Sequence, residues 1–267
     1  MSPDKCYHCK QPLTPGMRQC KNPKCRQWNN DAPIAALDDC TVLLGDAQGE
    51  PVERIMTGGF VDKVFGGGIA RTSCNLLAGE PGAGKTTLCL QLSDLFCGKF
   101  PNQEALYIAN EQSSKEITDT ANRLLLKHPR KIRIVKAMGG FAHDIGDLLL
   151  RYKPCFIVLD SVTKWAGEDM NVAVTICQRL KDYCVSLNAP AIVINQVTKG
   201  GDHAGLNKMQ HAVDMTAMFD ILLEPEEQLT PDTPRRLWCS KNRFGPAPEE
   251  QYYEMTAQGL EEVELDD

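Results

Sequence analysis

One eight-residue segment limits the possible folds of this chain more than any other. It runs Gly79-Glu-Pro-Gly-Ala-Gly-Lys85-Thr86 and fits the phosphate-loop pattern G-x-x-x-x-G-K-[ST]. Glycines let successive backbone N–H groups wrap around phosphates, Lys85 reaches the β- and γ-phosphates, and the Thr86 hydroxyl ligates Mg²⁺. A helix after the loop directs its positive end at the anion. The segment predicts ATP and Mg²⁺ binding, the alternative being a glycine-rich turn without a ligand.

The residues expected to hold the nucleotide are Gly79, Glu80, Pro81, Gly82, Ala83, Gly84, Lys85, Thr86 and Thr87. Apolar runs of strand length alternate with helical stretches around them, which predicts a mainly parallel sheet covered on both faces. The predicted parallel strands are Cys74–Ala78, Ala105–Ala109, Ile132–Val135, Cys155–Leu159 and Ala191–Ile194. The predicted helices are Thr86–Cys97, Ser114–Lys127, His143–Tyr152 and Val172–Leu187. An antiparallel extension at one sheet edge is predicted from Ala217–Leu223, Arg236–Lys241 and Gln251–Met255.

Three polar residues follow apolar strands and complete a predicted hydrolytic site. Asp160 ends the strand from Cys155 and can hold Mg²⁺, as in the Walker B arrangement. Glu111 follows a second strand and is the expected base for the attacking water, because ligands sit at the carboxyl ends of parallel strands. A cap for the helix at Ser114 is its alternative role. Gln196 is expected to sense the γ-phosphate, with capping or solvent exposure as alternatives.

Four cysteines near the N-terminus, Cys6, Cys9, Cys20 and Cys25, form two short knuckles. Four thiolates suit tetrahedral Zn²⁺ in a closed, structural site. Disulfides are disfavoured in a reducing compartment, while free thiols and an iron–sulfur cluster are the other readings. We predict a zinc finger over residues 1–30, a linker over 31–53 and an ATPase core over 54–267. The remaining cysteines are read as small buried hydrophobes.

Charge and hydropathy argue against a nucleic-acid-binding protein that is basic throughout and against a membrane protein. The net charge is −6, although residues 1–30 carry six basic groups and one acid, so any DNA contact must come from a local basic patch. The chain has no apolar run of about 18 residues, and its first ten residues are not typical of a secretory signal, so we expect a cytoplasmic protein without membrane association.

Several motifs resemble the RadA/Sms family of bacterial DNA-repair ATPases, relatives of RecA. The four-cysteine module is similar to that family's zinc finger, and Tyr107–Ser113 resembles the strand carrying its catalytic Glu. Val197–Gly201, ending at Ala204-Gly205, resembles its DNA-facing loop, and His203, Asn207 and Lys208 are expected in the same loop. The most specific match is the pentapeptide Lys241-Asn-Arg243-Phe-Gly245.

This resemblance implies a RecA-like core in a homo-oligomer, a hexameric ring on single-stranded DNA that acts in recombination and repair as a helicase or branch-migration motor. ATP would lie between subunits, and Lys241 and Arg243 would reach the neighbour's phosphates like an arginine finger. A recombinase or replication protein is an implied partner. Lys199 is the favoured DNA contact and Lys164 a second one, both in loops expected to face a pore.

Three departures separate the sequence from the family pattern. The second cysteine knuckle has four intervening residues instead of two, Gln196 stands where His is expected, and the family's Lon-protease-like domain does not follow the core, which suggests a short form. A KaiC-like signalling ATPase that works through protein partners without DNA is the alternative function. An inactive nucleotide-binding scaffold is a third, against which Lys85, Thr86, Glu111 and Asp160 argue.

Overall fold

The computed structural model describes residues 5–6, 9–12, 20–25, 51–136, 145–197, 203–223, 228–246 and 250–264. The chain divides into two compact units, Met1–Pro51 and Val52–Asp267. In the first unit the described residues surround the four cysteines. Most of the predicted linker, residues 31–50, lies outside the described residues. The second unit is an α/β domain.

Within the described part of the second unit, a nine-stranded sheet has the order β11-β10-β9-β8-β3-β7-β6-β4-β5, and β1 and β2 form a separate small ribbon. The strands are β1 (Arg54–Ile55), β2 (Ile69–Ala70), β3 (Cys74–Gly79), β4 (Ala105–Ala109), β5 (Ile132–Lys136), β6 (Phe156–Asp160), β7 (Ala191–Gln196), β8 (Met215–Ile221), β9 (Arg235–Asn242), β10 (Gln251–Thr256) and β11 (Gly259–Val263). The six strands from β8 to β5 in this order run parallel, and β9, β10 and β11 continue the sheet antiparallel. The predicted parallel sheet with an antiparallel edge extension is confirmed. The strand predicted at Ala217–Leu223 was assigned to that extension wrongly, because it is β8 and pairs parallel with β3.

Helices cover both faces of the sheet. They are α1 (Phe60–Val64), α2 (Lys85–Lys99), α3 (Ser114–Arg123), α4 (Ile145–Tyr152), α5 (Val162–Trp165), α6 (Met170–Leu187) and α7 (His203–Ala212). One core joins α2 and α3 to one face through residues such as Phe96 and Ile117. A second core joins α4, α6 and α7 to the other face through residues such as Leu149 and Met209. The central strands β3, β4 and β6 are buried along their whole length, which explains their continuous apolar sequences.

The described residues contain all the predicted strands and helices, with some shifted boundaries, and also elements that were not predicted, namely α1, α5, α7, β1, β2 and β11. The helix from Ser114 ends at Arg123 rather than Lys127, because Leu125 has a left-handed backbone with φ of 51° and points into solvent. Helix α7 occupies a segment that we expected to be loop, and β11 had no counterpart in the prediction. The cysteines of the core, for example Cys89 and Cys177, are buried as expected, whereas Cys40 lies outside the described residues.

Within the described ranges, no helix is both long and apolar enough to cross a membrane.

Candidate nucleotide site

The phosphate loop connects the buried strand β3 to helix α2. Gly84 caps the helix with a left-handed backbone, φ 103°, which glycine adopts without a steric cost. Gly79, at the end of β3, lies against the backbone of Phe219 in β8, and a Cβ there would overlap the Phe219 carbonyl oxygen. Glycine at these two positions therefore permits the backbone conformation and close strand packing, in addition to leaving room for phosphates.

Lys85 is buried at the start of α2 and its ammonium is held by the loop itself. Its Nζ donates hydrogen bonds to the carbonyl oxygens of Gly79 and Glu80, both at 2.7 Å. Burial lowers the pKa of Lys85 to about 8, although the carboxylates of Asp160 and Glu111 oppose the shift. A bound phosphate would replace the two carbonyl acceptors with a stronger, charged one.

Asp160 lies at the carboxyl end of β6 beside the start of α2. Its Oδ2 accepts hydrogen bonds from the Tyr107 hydroxyl at 2.8 Å and from Thr86 Oγ1 at 3.2 Å. Burial is the main reason that the pKa of Asp160 is raised above its usual value, and the two hydrogen bonds oppose that rise. A hydroxyl and a carboxylate converging at this distance are hard oxygen donors that fit Mg²⁺.

Glu111 and Gln196 meet across the site. Gln196 Nε2 donates to Glu111 Oε1 at 2.5 Å, and the Lys164 ammonium lies 3.4 Å from the same oxygen. Capping of α3 is carried out by Ser113 and Glu116, which form a reciprocal capping box. Glu111 is therefore not the cap of that helix, and its carboxylate is directed to the nucleotide site.

These groups line a single cavity of about 330 Å³ at the carboxyl edge of the parallel strands. Its lining consists of Pro81, Gly82, Gly84, Lys85, Thr86, Thr87, Glu111, Gln112, Asp160, Ile194, Gln196 and Met255. The structure thus brings Glu111, Asp160 and Gln196 together with the phosphate loop. Gly79, Glu80 and Ala83, which were also predicted to hold the nucleotide, belong to the same loop but are not among the residues that line the cavity.

The hairpin of β10 and β11 packs on the phosphate loop, a contact that sequence reasoning missed. The Tyr253 hydroxyl donates to the Ala83 carbonyl oxygen at 3.0 Å, and the Tyr253 ring stacks on Phe60 with centroids 5.5 Å apart. A Cβ on Gly84 would lie 2.8 Å from Met255 Cε and 3.0 Å from a Leu260 methyl group. These contacts fix the backbone of the loop.

Lys241 and Arg243 lie at the other end of the sheet from the phosphate loop. Met215 at the start of β8 pairs with both Asn242 and Asn75, so the pentapeptide is level with the start of β3. Gly79 is four residues farther along β3, which is about 13 Å of strand. The two basic residues therefore do not enter their own chain's nucleotide cavity.

The pentapeptide is held in place by polar contacts that differ for each member. Lys241 Nζ donates to the carbonyl oxygens of Gln210 and, at 2.6 Å, Val213. Arg243 lies 3.7 Å from the buried carboxylate of Asp214 and is half exposed. Asn242 Oδ1 accepts from the Phe244 amide at 2.9 Å.

Arg54 in β1 also supports this turn. Its guanidinium donates to the carbonyl oxygens of Gly66, at 2.7 Å, Phe65, at 3.2 Å, and Phe244. The tip of the pentapeptide is thus tied to the α1–β2 connection.

Of the two predicted DNA contacts, the structure describes Lys164 but not Lys199, which lies outside the described residues. Lys164 lies in the short helix α5, rather than in the loop that we expected, and its ammonium faces Glu111. Its side chain is 51% exposed, so it borders both the nucleotide site and solvent.

In the first unit, the four cysteines converge. Sulfur atoms of Cys6 and Cys25 are 3.7 Å apart, those of Cys9 and Cys20 are 3.6 Å apart, and all four lie within 4.8 Å of one another. A tetrahedron of thiolates with Zn–S bonds of about 2.3 Å has S–S edges of about 3.8 Å. The donor set and its spacing fit Zn²⁺, including the longer second knuckle.

Comparison with known proteins agrees with this geometry. Residues 60–202 match the AAA domain family. DNA repair protein RadA of Aquifex aeolicus is 30% identical over 97% of this chain and 59% of its own length. RadA of Haemophilus influenzae is 33% identical over 76% of the chain and 43% of its length, and RadA of Bacillus subtilis is 31% identical over 80% and 45%. The chain therefore spans about half the length of these curated relatives.

Among solved structures, a KaiC-like protein from Pyrococcus horikoshii OT3 has the same fold, with a TM-score of 0.66, 18% identity, and coverage of 80% of this chain and 100% of its own. That likeness concerns the fold alone. The family match, the RadA relatives and the site identify the chain as a member of the AAA domain family, a RadA/Sms-like P-loop ATPase with a RecA-type fold.

Proposed function

We propose that this protein is a DNA-repair ATPase that hydrolyses ATP in response to single-stranded DNA, in a homo-oligomeric ring of six subunits. The observation that carries the proposal is the separation of the pentapeptide from the phosphate loop. Arg243 lies at the opposite end of the sheet from Lys85. A ring in which each subunit docks head to tail on the next brings unlike surfaces together at every interface.

In the proposed reaction, the backbone N–H groups of Gly79–Thr86 bind the phosphates, and Lys85 leaves its two carbonyl acceptors to contact them. Bound Mg²⁺ supplies neutralisation of phosphate charge, and Thr86 and Asp160 would hold it. Glu111 orients and deprotonates the attacking water. Gln196, hydrogen bonded to Glu111, reports the γ-phosphate to the catalytic carboxylate.

Lys241 and Arg243 complete the site of the neighbouring subunit by stabilising charge on its transferring phosphoryl group. In the free chain Lys241 is bound to carbonyl oxygens near the end of α7, and Arg243 is half exposed beside Asp214. Both groups are thus positioned by their own chain while remaining at its surface. The names of the RadA relatives support the assignment to DNA repair.

DNA contact is proposed for Lys199 and Lys164, with the basic N-terminal segment as a further source of positive charge. The four cysteines are proposed to bind one structural Zn²⁺, which stabilises a module too short to form its own apolar core. A recombinase or replication protein is the proposed partner, in the cytoplasm.

ATP turnover measured with and without single-stranded DNA tests this function. Strong stimulation by DNA is expected. Turnover that DNA does not change would overturn the proposal in favour of a KaiC-like signalling ATPase, and absence of turnover would favour an inactive scaffold. The Lys85→Ala variant is expected to lose activity, which ties any turnover to this site. Lys199→Ala is expected to weaken DNA binding and its salt dependence.

A further inference from the structure

A cluster of cations surrounds one buried carboxylate at the end of the sheet opposite the phosphate loop. Asp214 is 2% exposed and lies just before β8. Its Oδ2 accepts from the Cys74 amide at 3.1 Å, while Oδ1 accepts a hydrogen bond from Lys181 and lies 3.7 Å from Arg243. Lys181 belongs to α6, whereas Arg243 is the pentapeptide residue that directly follows β9.

The cluster has more positive charge than Asp214 can neutralise. Lys181, Lys241 and Arg243 contribute three cations close to one carboxylate. Lys241 uses only backbone carbonyls as acceptors, which leaves a surplus of two positive charges. Burial lowers the pKa of Lys241, and the nearby charges of Arg243 and Lys181 lower it further. Such a surplus favours a polyanion at this place.

Lys181 reaches the surface beside the two pentapeptide cations. Its side chain is 29% exposed and that of Arg243 is 50% exposed. Both approach the same Oδ1 atom of Asp214, so the ammonium and the guanidinium lie side by side. A phosphate that reaches Arg243 from outside would therefore meet Lys181 as well.

We propose that Lys181 is a third cation of the intersubunit nucleotide site, binding the triphosphate in the neighbouring subunit's phosphate loop together with Lys241 and Arg243. Asp214 is the positioning residue that holds Lys181 and Arg243 toward the neighbour. This inference rests on the proposed sharing of ATP between subunits, and the sequence alone gave no indication of it because Lys181 lies on a helix far from any motif.

Mixing of variants tests whether Lys181 acts on the neighbour's ATP. Lys181→Gln alone is expected to lower ATP turnover about tenfold or more, because a contact to transition-state charge is lost. Lys85→Ala alone is inactive at its own loop. In mixed head-to-tail rings, about a quarter of the interfaces combine an intact phosphate loop with an intact cation cluster. Turnover of the mixture is therefore expected to exceed the sum of the separate variants.

Control variants distinguish a role of Lys181 at the neighbour's ATP from a role in the folding of its own chain. Arg179→Gln removes an exposed cation two residues earlier on α6 and is expected to leave turnover unchanged. Lys181→Arg, which keeps the charge, is expected to retain most of the turnover. Because buried Asp214 loses a cationic partner, Lys181→Gln is expected to remain folded but to unfold at a lower temperature than wild type, whereas Lys181→Arg is expected to unfold near wild type.

Two outcomes are distinguishable. If Arg243→Ala mixed with Lys85→Ala regains activity but Lys181→Gln mixed with Lys85→Ala does not, the role of Lys181 is overturned while the shared site stands. Wild-type turnover by Lys181→Gln likewise overturns that role. The role is also overturned if Lys181→Gln fails to fold and Lys181→Arg is inactive. If neither mixture regains activity, the shared site itself is wrong.

Discussion

Tyr107 donates a hydrogen bond from its phenol to Oδ2 of Asp160 at 2.8 Å, entirely within the protein interior. The two residues lie on adjacent parallel strands, with Asp160 opposite Ala109 and Tyr107 two residues earlier. They are diagonal neighbours on one face of the sheet. This bond, with that of Thr86, fixes one oxygen of the carboxylate.

The first prediction is that Tyr107→Phe lowers ATP turnover at limiting Mg²⁺, because the carboxylate that would hold the metal is less well positioned. Phe keeps the buried ring and removes only the hydroxyl. A hydrogen bond to a charged group contributes about 1.5–3 kcal/mol, so turnover at limiting Mg²⁺ is expected to fall about tenfold or more. Raising Mg²⁺ should restore part of it. Tyr252→Phe removes an exposed hydroxyl bound to Glu250 and serves as the matched control. An unchanged Mg²⁺ dependence would count against the positioning role.

The second prediction concerns pH and Lys85. With a pKa of about 8 in the free chain, Lys85 loses its proton above that pH, and bound phosphate raises the pKa again. ATP affinity is therefore expected to fall as pH rises above 8, approaching about tenfold per pH unit. The affinity for a fluorescent ATP analogue, measured from about pH 7 to about pH 9.5 so that the range spans the pKa of Lys85, checks this. Lys85→Met should bind more weakly and without that slope.

The lowered pKa of Lys85 also determines the direction in which the free energy of unfolding changes with pH. Between about pH 8 and 10.5, unfolded Lys85 binds more protons than folded Lys85, so its contribution to the free energy of unfolding rises with pH. A fall in stability across this window, relative to Lys85→Met, would contradict the burial of a cationic Lys85.

The third prediction is complementation between subunits. Lys85→Ala and Arg243→Ala are each expected to be inactive, because they damage opposite halves of one interface. Their mixture should regain activity. Lys85→Ala mixed with Asp160→Asn provides the matched control, since both changes damage the same half, and this mixture should stay inactive. Equal behaviour of the two mixtures would refute trans action by Arg243.

The fourth prediction is that the chain binds one Zn²⁺ through its four clustered thiolates. Cys9→Ser and Cys20→Ser should each lose the metal, as measured by release to a colorimetric chelator. Lys24→Ala, an exposed change between the ligands, should keep it. The core forms its own compact unit, so its thermal unfolding should not change. Retention of zinc by both serine variants would reject the site.

Local signals were sufficient for much of the fold and of the nucleotide site. The phosphate loop, the strand ending at Asp160 and the alternation of strands and helices all depend on residues close in sequence. Glu111 and Gln196 were found because parallel strands bring their carboxyl ends to one edge.

Contacts between distant side chains could not be predicted in this way. Tyr107 reads as an ordinary core aromatic, and only its diagonal relation to Asp160 reveals its hydrogen bond. Lys181 reads as a surface residue of α6 until the fold brings it to Asp214. Helix α7 was missed because its polar, glycine-containing sequence was interpreted through the resemblance to a DNA-facing loop.

The bond from Tyr253 to Ala83 joins residues 170 positions apart. During synthesis the phosphate loop is made first, and at about 5–20 residues per second its support follows roughly 10–30 s later. Over that interval the nascent chain contains every residue of the loop but lacks the hairpin that fixes its backbone. We therefore expect nucleotide binding of native strength only once β10 and β11 have joined the sheet.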